Sequence, residues 1–356
     1  MRQPYRIFAL TLATAGVLVT AACSGSSGKA KSSAPPSPPS TPVSTATPTK
    51  TPPPAPPKNP YTGIGAVPTT PTIAVKIDDT DAGRPQVNID KADIVYIEAA
   101  EGGLTRLAAI FGTNKPTQVG YVRSTRPSDP ELLLQYGKIT EAFSGGAANS
   151  LQAVQTAGLV GWSQDDGAAG YTRQSHDGDR GYVNVVLNVA QVAAASRTAK
   201  PKSIGWTFNP GLGALPTQPG TDIRTTVSGS YGPGNGTPVE FRWSAKLGRY
   251  VRYIDGTEQV ESDGTPVVAT NVIVQFCKVV SHPQDVDVDG NPSQYTYTVG
   301  TGRVAVFRQG REIAGNWSRP SDGAGTTLKT AGGAVIPLNP GTTWVVLVAN
   351  GAPLSG

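Results

Sequence analysis

The sequence predicts an α+β protein, with a mixed α/β N-terminal domain followed by an all-β, sandwich- or barrel-like C-terminal domain. Three observations lead there. Short β-branched apolar runs recur through the folded part, bounded by Gly, Pro, Asn and Asp. Helical spacing with start and stop signals occurs only before about residue 205. A Gly- and Pro-rich stretch, 209–238, separates the two regimes and is expected to connect a domain at 61–208 to one at 239–356.

In the first half, "TIAVKID" (72–78), "ADIVYIEAA" (92–100), "LTRLAAIFG" (104–112), "QVGYVRS" (118–124) and "VNVVLN" (183–188) read as strands. A helix is expected over 129–139, with Asp129 as N-cap and Pro130 at the first helical position. A second is expected over 147–158, with Leu151 and Val154 on one face and Gly158 as its C-cap. The Ala-rich segment 189–197 predicts a third. Beyond 205, seven or eight strands follow, including "VEFRWS", "RYVRYIDG", "ATNVIVQFCKVV" and "TTWVVLVAN". "RQGRE" (308–312) and "AGGA" (331–334) read as hairpin connections.

Residues 1–23 combine basic Arg2 and Arg6, an apolar run from Ile7 to Val19, and small residues before Cys23. That is a secretory signal of the lipoprotein type, with Cys23 as the lipidated residue. The usual signal has Leu three places before the cysteine, where this chain has Thr20. Residues 24–60 hold twelve prolines and no acidic residue, the composition of a disordered, partly polyproline spacer. At about 3.1 Å per residue it could place a domain on the order of 100 Å from a membrane anchor. The expected location is therefore the cell membrane, lipid-anchored, on the extracytoplasmic face.

The chain carries 30 basic and 25 acidic residues. Arg2, Arg6, Lys29, Lys31, Lys50 and Lys58 lie before residue 61, so the folded part has 24 basic against 25 acidic residues, a net charge of −1. A nucleic-acid partner inferred from the basic pI is excluded. With Cys23 lipidated, Cys277 has no disulfide partner, and its strand context predicts a small buried hydrophobe.

The polar candidates fall into groups. Arg84, Arg106, Arg123, Arg126 and Arg180 have the planar fork that pairs with carboxylate or phosphate, although structural ion pairs would use the same residues. "FSGGAANS" sets Ser144, Gly145 and Gly146 ahead of a helix, where free N–H groups favour an anion. Asp78, Glu98 and Glu101 are the candidates for paired-carboxylate hydrolysis of a glycan. His176 beside Asp177 and Asp179 reads as an exposed loop, with no nucleophile elbow to make a triad. Asp285, Asp287 and Asp289 with Gly290 match the first half of a calcium loop, but Thr296 stands where the bidentate Glu would be. No cofactor is expected.

The segments "VKIDDTDAGRPQVNIDKADIVYIEAAEGGLTRLAAIF", "VGYVRSTRP", "SGG" and "RGYVNVVLN" resemble, in order, the N-terminal part of the YerB-like lipoprotein family. "GRYVRYIDG", "GTGRVAVFRQGREIAGNWSR" and "LNPGTTWVVLV" resemble its C-terminal part. The resemblance covers nearly all of 70–350 and implies a lipoprotein of two domains of unknown function. It also implies recurrent polar places at Asp78, Arg84, Asp93, Glu101, Arg106, Arg123, Arg126, Ser144 and Arg180. Many relatives have His where this chain has Phe143 and Val183. The expected function is a lipid-anchored protein that holds an anionic cell-envelope ligand or partner in an Arg-lined cleft. The alternatives are a wall-glycan hydrolase and an envelope scaffold that docks a partner through its β part.

Overall fold

The computed structural model describes residues 58–232 and 235–356. The signal segment, Cys23 and residues 24–57 of the expected spacer lie outside the described residues. The last part of that spacer belongs to the fold: Asn59 is buried and its amide donates to Thr113 Oγ1 at 2.7 Å.

The main strands are, in order, β1 (Ile73–Asp78), β2 (Ile94–Ala99), β3 (Thr105–Phe111), β4 (Thr140–Phe143) and β5 (Val160–Ser163). Next come β6 (Asp222–Val227), β7 (Thr237–Ser244), β8 (Arg249–Ile254), β9 (Asn271–Cys277) and β10 (Val279–Val286). The last are β11 (Pro292–Thr296), β12 (Gly300–Arg308), β13 (Arg311–Arg319), β14 (Thr327–Lys329) and β15 (Thr343–Ala349). Helix is the minor component. Among the described residues the α-helices are α1 (Asp129–Leu133), α2 (Ala148–Ala157) and α3 (Val189–Ala195). The helix expected over 129–139 shortens to α1 and a 3-10 turn that ends before Gly137, whose φ of 91° suits glycine. Gly158 caps α2 in the left-handed region as its position predicts.

A mixed sheet of eleven strands dominates, in the order β14-β13-β12-β9-β15-β2-β3-β1-β4-β5, with Gln218–Pro219 adding to β13. Strands from both sides of the 209–238 stretch share it: β15 pairs in parallel with β2 on one side and β9 on the other. That stretch itself contains β6, a strand the Gly/Pro content hid. β6–β8 belong to a second sheet, of six strands.

Alternation along each central strand supplies two cores. Ile73, Val75 and Ile77 of β1 join Trp344, Val346 and Val348 of β15 on one face, where Ile223, Phe241 and Tyr250 of the second sheet and Val192 of α3 cover them. Ala74, Tyr96, Val345 and Leu347 point to the opposite face, under Leu132 and Leu133 of α1 and Val154 of α2. The described residues lie in a single compact unit. The expected strand at 118–124 reduces to Val119–Gly120 because Val122 and Arg123 peel off to bond with the end of β1. "RQGRE" forms the two-residue hairpin between β12 and β13, with Gln309 and Gly310 both at positive φ.

Candidate functional site

One end of the central strands opens into a cleft of about 1180 Å³. Its floor is made where β1 ends in Asp78, with Asp79 following, and β3 begins with Thr105 and Arg106. The antiparallel register sets Arg106 directly opposite Asp78. The segment after Val119–Gly120 runs along the end of β1, with Arg123 N donating to Lys76 O at 3.0 Å. This delivers Arg123 and Arg126 to the same cleft. All five expected arginines, Arg84, Arg106, Arg123, Arg126 and Arg180, line it.

Their surroundings differ. Arg123 Nε lies 3.0 Å from Asp78 Oδ2, and its guanidinium sits 5.4 Å from the Tyr182 ring. Arg126 binds Glu101 Oε2 at 2.6 Å and the carbonyls of Ser124 and Thr125. Arg84 pairs with exposed Asp81 at 3.0 Å and donates to the Asp79 carbonyl. Arg106 is the least compensated. It is 5% exposed, its closest carboxylate is Asp78 at 3.9 Å, and among the described residues its one hydrogen bond runs from Nη1 to the Thr105 carbonyl at 2.9 Å. Burial pulls its pKa down to about 10, and Arg126 and Arg123 add to the effect against the pull of Asp78. It stays charged at neutral pH, a buried cation short of one partner.

The carboxylates are mostly counter-ions. Asp78 accepts from Thr80 N and Thr80 Oγ1 as well as facing Arg123. Gly83 packs so close to it that a Cβ there would meet Asp78 Cβ at 2.5 Å. Burial disfavours the charge on Asp79, but Arg252 at 2.8 Å and Thr105 outweigh it and hold the carboxyl below the usual range. Glu101 is likewise held low: Arg126 and Ser293 Oγ, at 2.6 Å, overcome its burial. Glu98 does not reach the cleft. It lies on the α1 side of the sheet, ion-paired with buried Lys76, which also binds Asp129 at 2.9 Å. Beneath the same floor Glu141 accepts from Thr125 Oγ1, and burial with nearby Asp129 pushes its carboxyl well above the usual range.

The Ser-Gly-Gly stretch is used differently from its sequence reading. Ser144 N donates to Arg123 O, Gly145 O accepts from Thr125 N, and of the three residues Gly146 alone lines the cleft. The N-terminus of α2 already has an anion, the protein's own Asp285. That carboxylate accepts from Asn149 N at 3.2 Å, Asn149 Nδ2 at 2.9 Å and Ser150 Oγ at 2.6 Å. Both oxygens of Asp285 are thereby engaged by α2, and Asp287 binds Asn291 and the backbone of its own turn. Among the described residues no three His, Cys, Asp or Glu side chains are grouped to hold a metal ion.

Two family descriptions match this chain: the N-terminal domain of a protein of unknown function (DUF3048) over residues 61–202, and its C-terminal domain over 227–345. The chain belongs to the DUF3048 family. A curated relative, the "Putative lipoprotein YerB" of Bacillus subtilis (strain 168), is 27% identical over 310 residues, 82% of this chain and 86% of the relative. The crystal structure of YerB protein from Bacillus subtilis superposes with a TM-score of 0.67 at 23% identity, covering 84% of this chain and 99% of that one. This likeness shows the fold. Phe143 is buried in the core near α2, and Val183 beside Ala82, Val87 and Tyr121. His176 stacks on Tyr121 at 4.0 Å and contacts the Val183 carbonyl, so the loop around it is tied to this small cluster.

Sequence reasoning missed Arg252, the hairpin β10–β11 and the lining residues Leu104, Tyr182 and Asp255. Arg252 carried a signal, a charge inside the apolar alternation of "RYVRYI". The others had none, because only the tertiary fold brings them to β1.

Proposed function

We propose that this protein is a lipid-anchored, extracytoplasmic binding protein whose cleft holds an anionic group of a cell-envelope molecule. The anchor would be Cys23, which the lipoprotein name of the Bacillus relative supports. Among the described residues no helix is long and apolar enough to cross a membrane. The observation that carries the binding reading is Arg106: a buried cation in the floor of an open cleft, its closest carboxylate 3.9 Å away, flanked by Arg123 and Arg126. Arg123 and Arg126 are neutralised by Asp78 and Glu101, whereas a bound anion would complete the shell of Arg106. Hydrolysis by paired carboxylates is less well supported. Its general acid needs a raised pKa, and Glu101 is shifted the other way.

The test is thermal stabilisation of the purified chain by acetate, phosphate and muropeptides at fixed ionic strength, beside Arg106→Gln and Arg123→Gln. An anion at about 100 times its dissociation constant adds roughly 2.7 kcal/mol to stability. Stabilisation of the wild type that is lost in Arg106→Gln and reduced in the more exposed Arg123→Gln supports the reading. No stabilisation by any anion, or an equal effect in both folded variants, overturns it.

A further inference from the structure

The charge in the cleft is graded from floor to rim. Counting Arg252 with the four inner arginines, Arg84, Arg106, Arg123 and Arg126, gives five cations. They face three buried carboxylates, Asp78, Asp79 and Glu101, which leaves about two positive charges inside, while Asp81, the partner of Arg84, is exposed. The rim has the opposite balance. Asp255, Asp287 and Asp289 line it, none of them in an ion pair among the described residues, and Arg180 is the one basic side chain there. Asp287 is held below the usual carboxylate range, its burial offset by Asn291 and by the charge of Arg126, so floor and rim share one field. Between the charges the lining is apolar and exposed: Leu104, Tyr182, Val286 and fully exposed Val288.

Resting on the anion-binding reading, we infer that the ligand is a peptide end: one carboxylate seated against Arg106, apolar side chains along Leu104, Tyr182 and Val288, and an amine at the acidic rim. The volume, above the roughly 300–1,000 Å³ of small-molecule sites, leaves room for several residues.

The experiment measures dissociation constants at low, fixed ionic strength for acetyl-Lys-Ala-Ala, its C-terminal amide, its acetyl-lysine form and phosphoethanolamine. The acid should bind, the amide should bind on the order of a hundredfold more weakly, and acetylation of the lysine should cost about fivefold. Asp255→Asn/Asp289→Asn should erase the preference for free over acetylated lysine. If acetylation changes nothing while the amide is rejected, the peptide-end inference fails and the anion reading stands. Binding of phosphoethanolamine but of no peptide also overturns the inference and assigns the cleft to a lipid headgroup. Equal binding of acid and amide overturns both readings.

Discussion

Arg106 and Glu261 are both ionisable side chains under the surface, and they resolve the cost of burial in opposite ways. Arg106 keeps its charge at neutral pH because even a pKa of about 10 leaves it protonated. Glu261 is 2% exposed, with one oxygen accepting from Asp90 N at 3.0 Å and the other without a partner. Burial, then the Asp90 charge, push its pKa up to about 8 from 4.5. Since the folded state holds this proton more tightly than the unfolded chain, its contribution to stability is full below about pH 4.5. It is then lost as the pH climbs through about 8. Glu261→Gln, fixed in the neutral form, should match wild type near pH 4.5 and exceed it by on the order of 4 kcal/mol above pH 8. Urea midpoints at pH 5 and 8.5 check this; identical pH slopes in the two proteins would disprove it. At this scale the sequence was half legible. Arginines at strand ends announced themselves, but Arg252, 173 residues from Asp79, did not announce what it neutralises.

Helix α2 and the hairpin β10–β11 show how an element's end can be finished from a distance. α2 has no side-chain cap of its own at Ala147, and its first turn takes Asp285 from β10 in place of one. Sequence reading saw two open sites, an anion site at the helix start and a calcium loop at 285–289. The fold spends one on the other. Asp285→Ala removes three hydrogen bonds and the tether of a hairpin that lines the cleft. It should lower stability by about 1–2 kcal/mol, read as a fall in the urea midpoint with an unchanged slope. Calcium should not restore wild-type stability in the variant or raise it in the wild type. Calcium-dependent stabilisation that Asp285→Ala abolishes would return the loop to its metal reading. The strand patterns themselves were legible, because β-branched alternation depends on neighbours in sequence, whereas capping from 135 residues away does not.

The whole molecule turns on β15, the last strand of the central sheet, which fits between β2 and β9. Pattern alone gave a change of regime near 209–238; one family description ends before it, at residue 202, and the other begins within it, at residue 227. Yet a parallel pairing of Ile94 with Thr343 spans most of the chain, and no local signal encodes it. Trp344, Val345, Val346, Leu347 and Val348 are each at most 2% exposed, with alternate residues facing the two cores. At about 2 kcal/mol for each buried side chain, their removal forfeits on the order of 10 kcal/mol, as much as a whole domain's usual margin. Ending the chain at residue 342 should therefore unfold both halves, including β1–β3 and the cleft they build. Calorimetry of the intact chain should show one transition for the same reason, since neither half completes its sheet alone. Two separate transitions, or a truncated chain that keeps native circular dichroism and anion binding, would show that the N-terminal strands hold the site without β15.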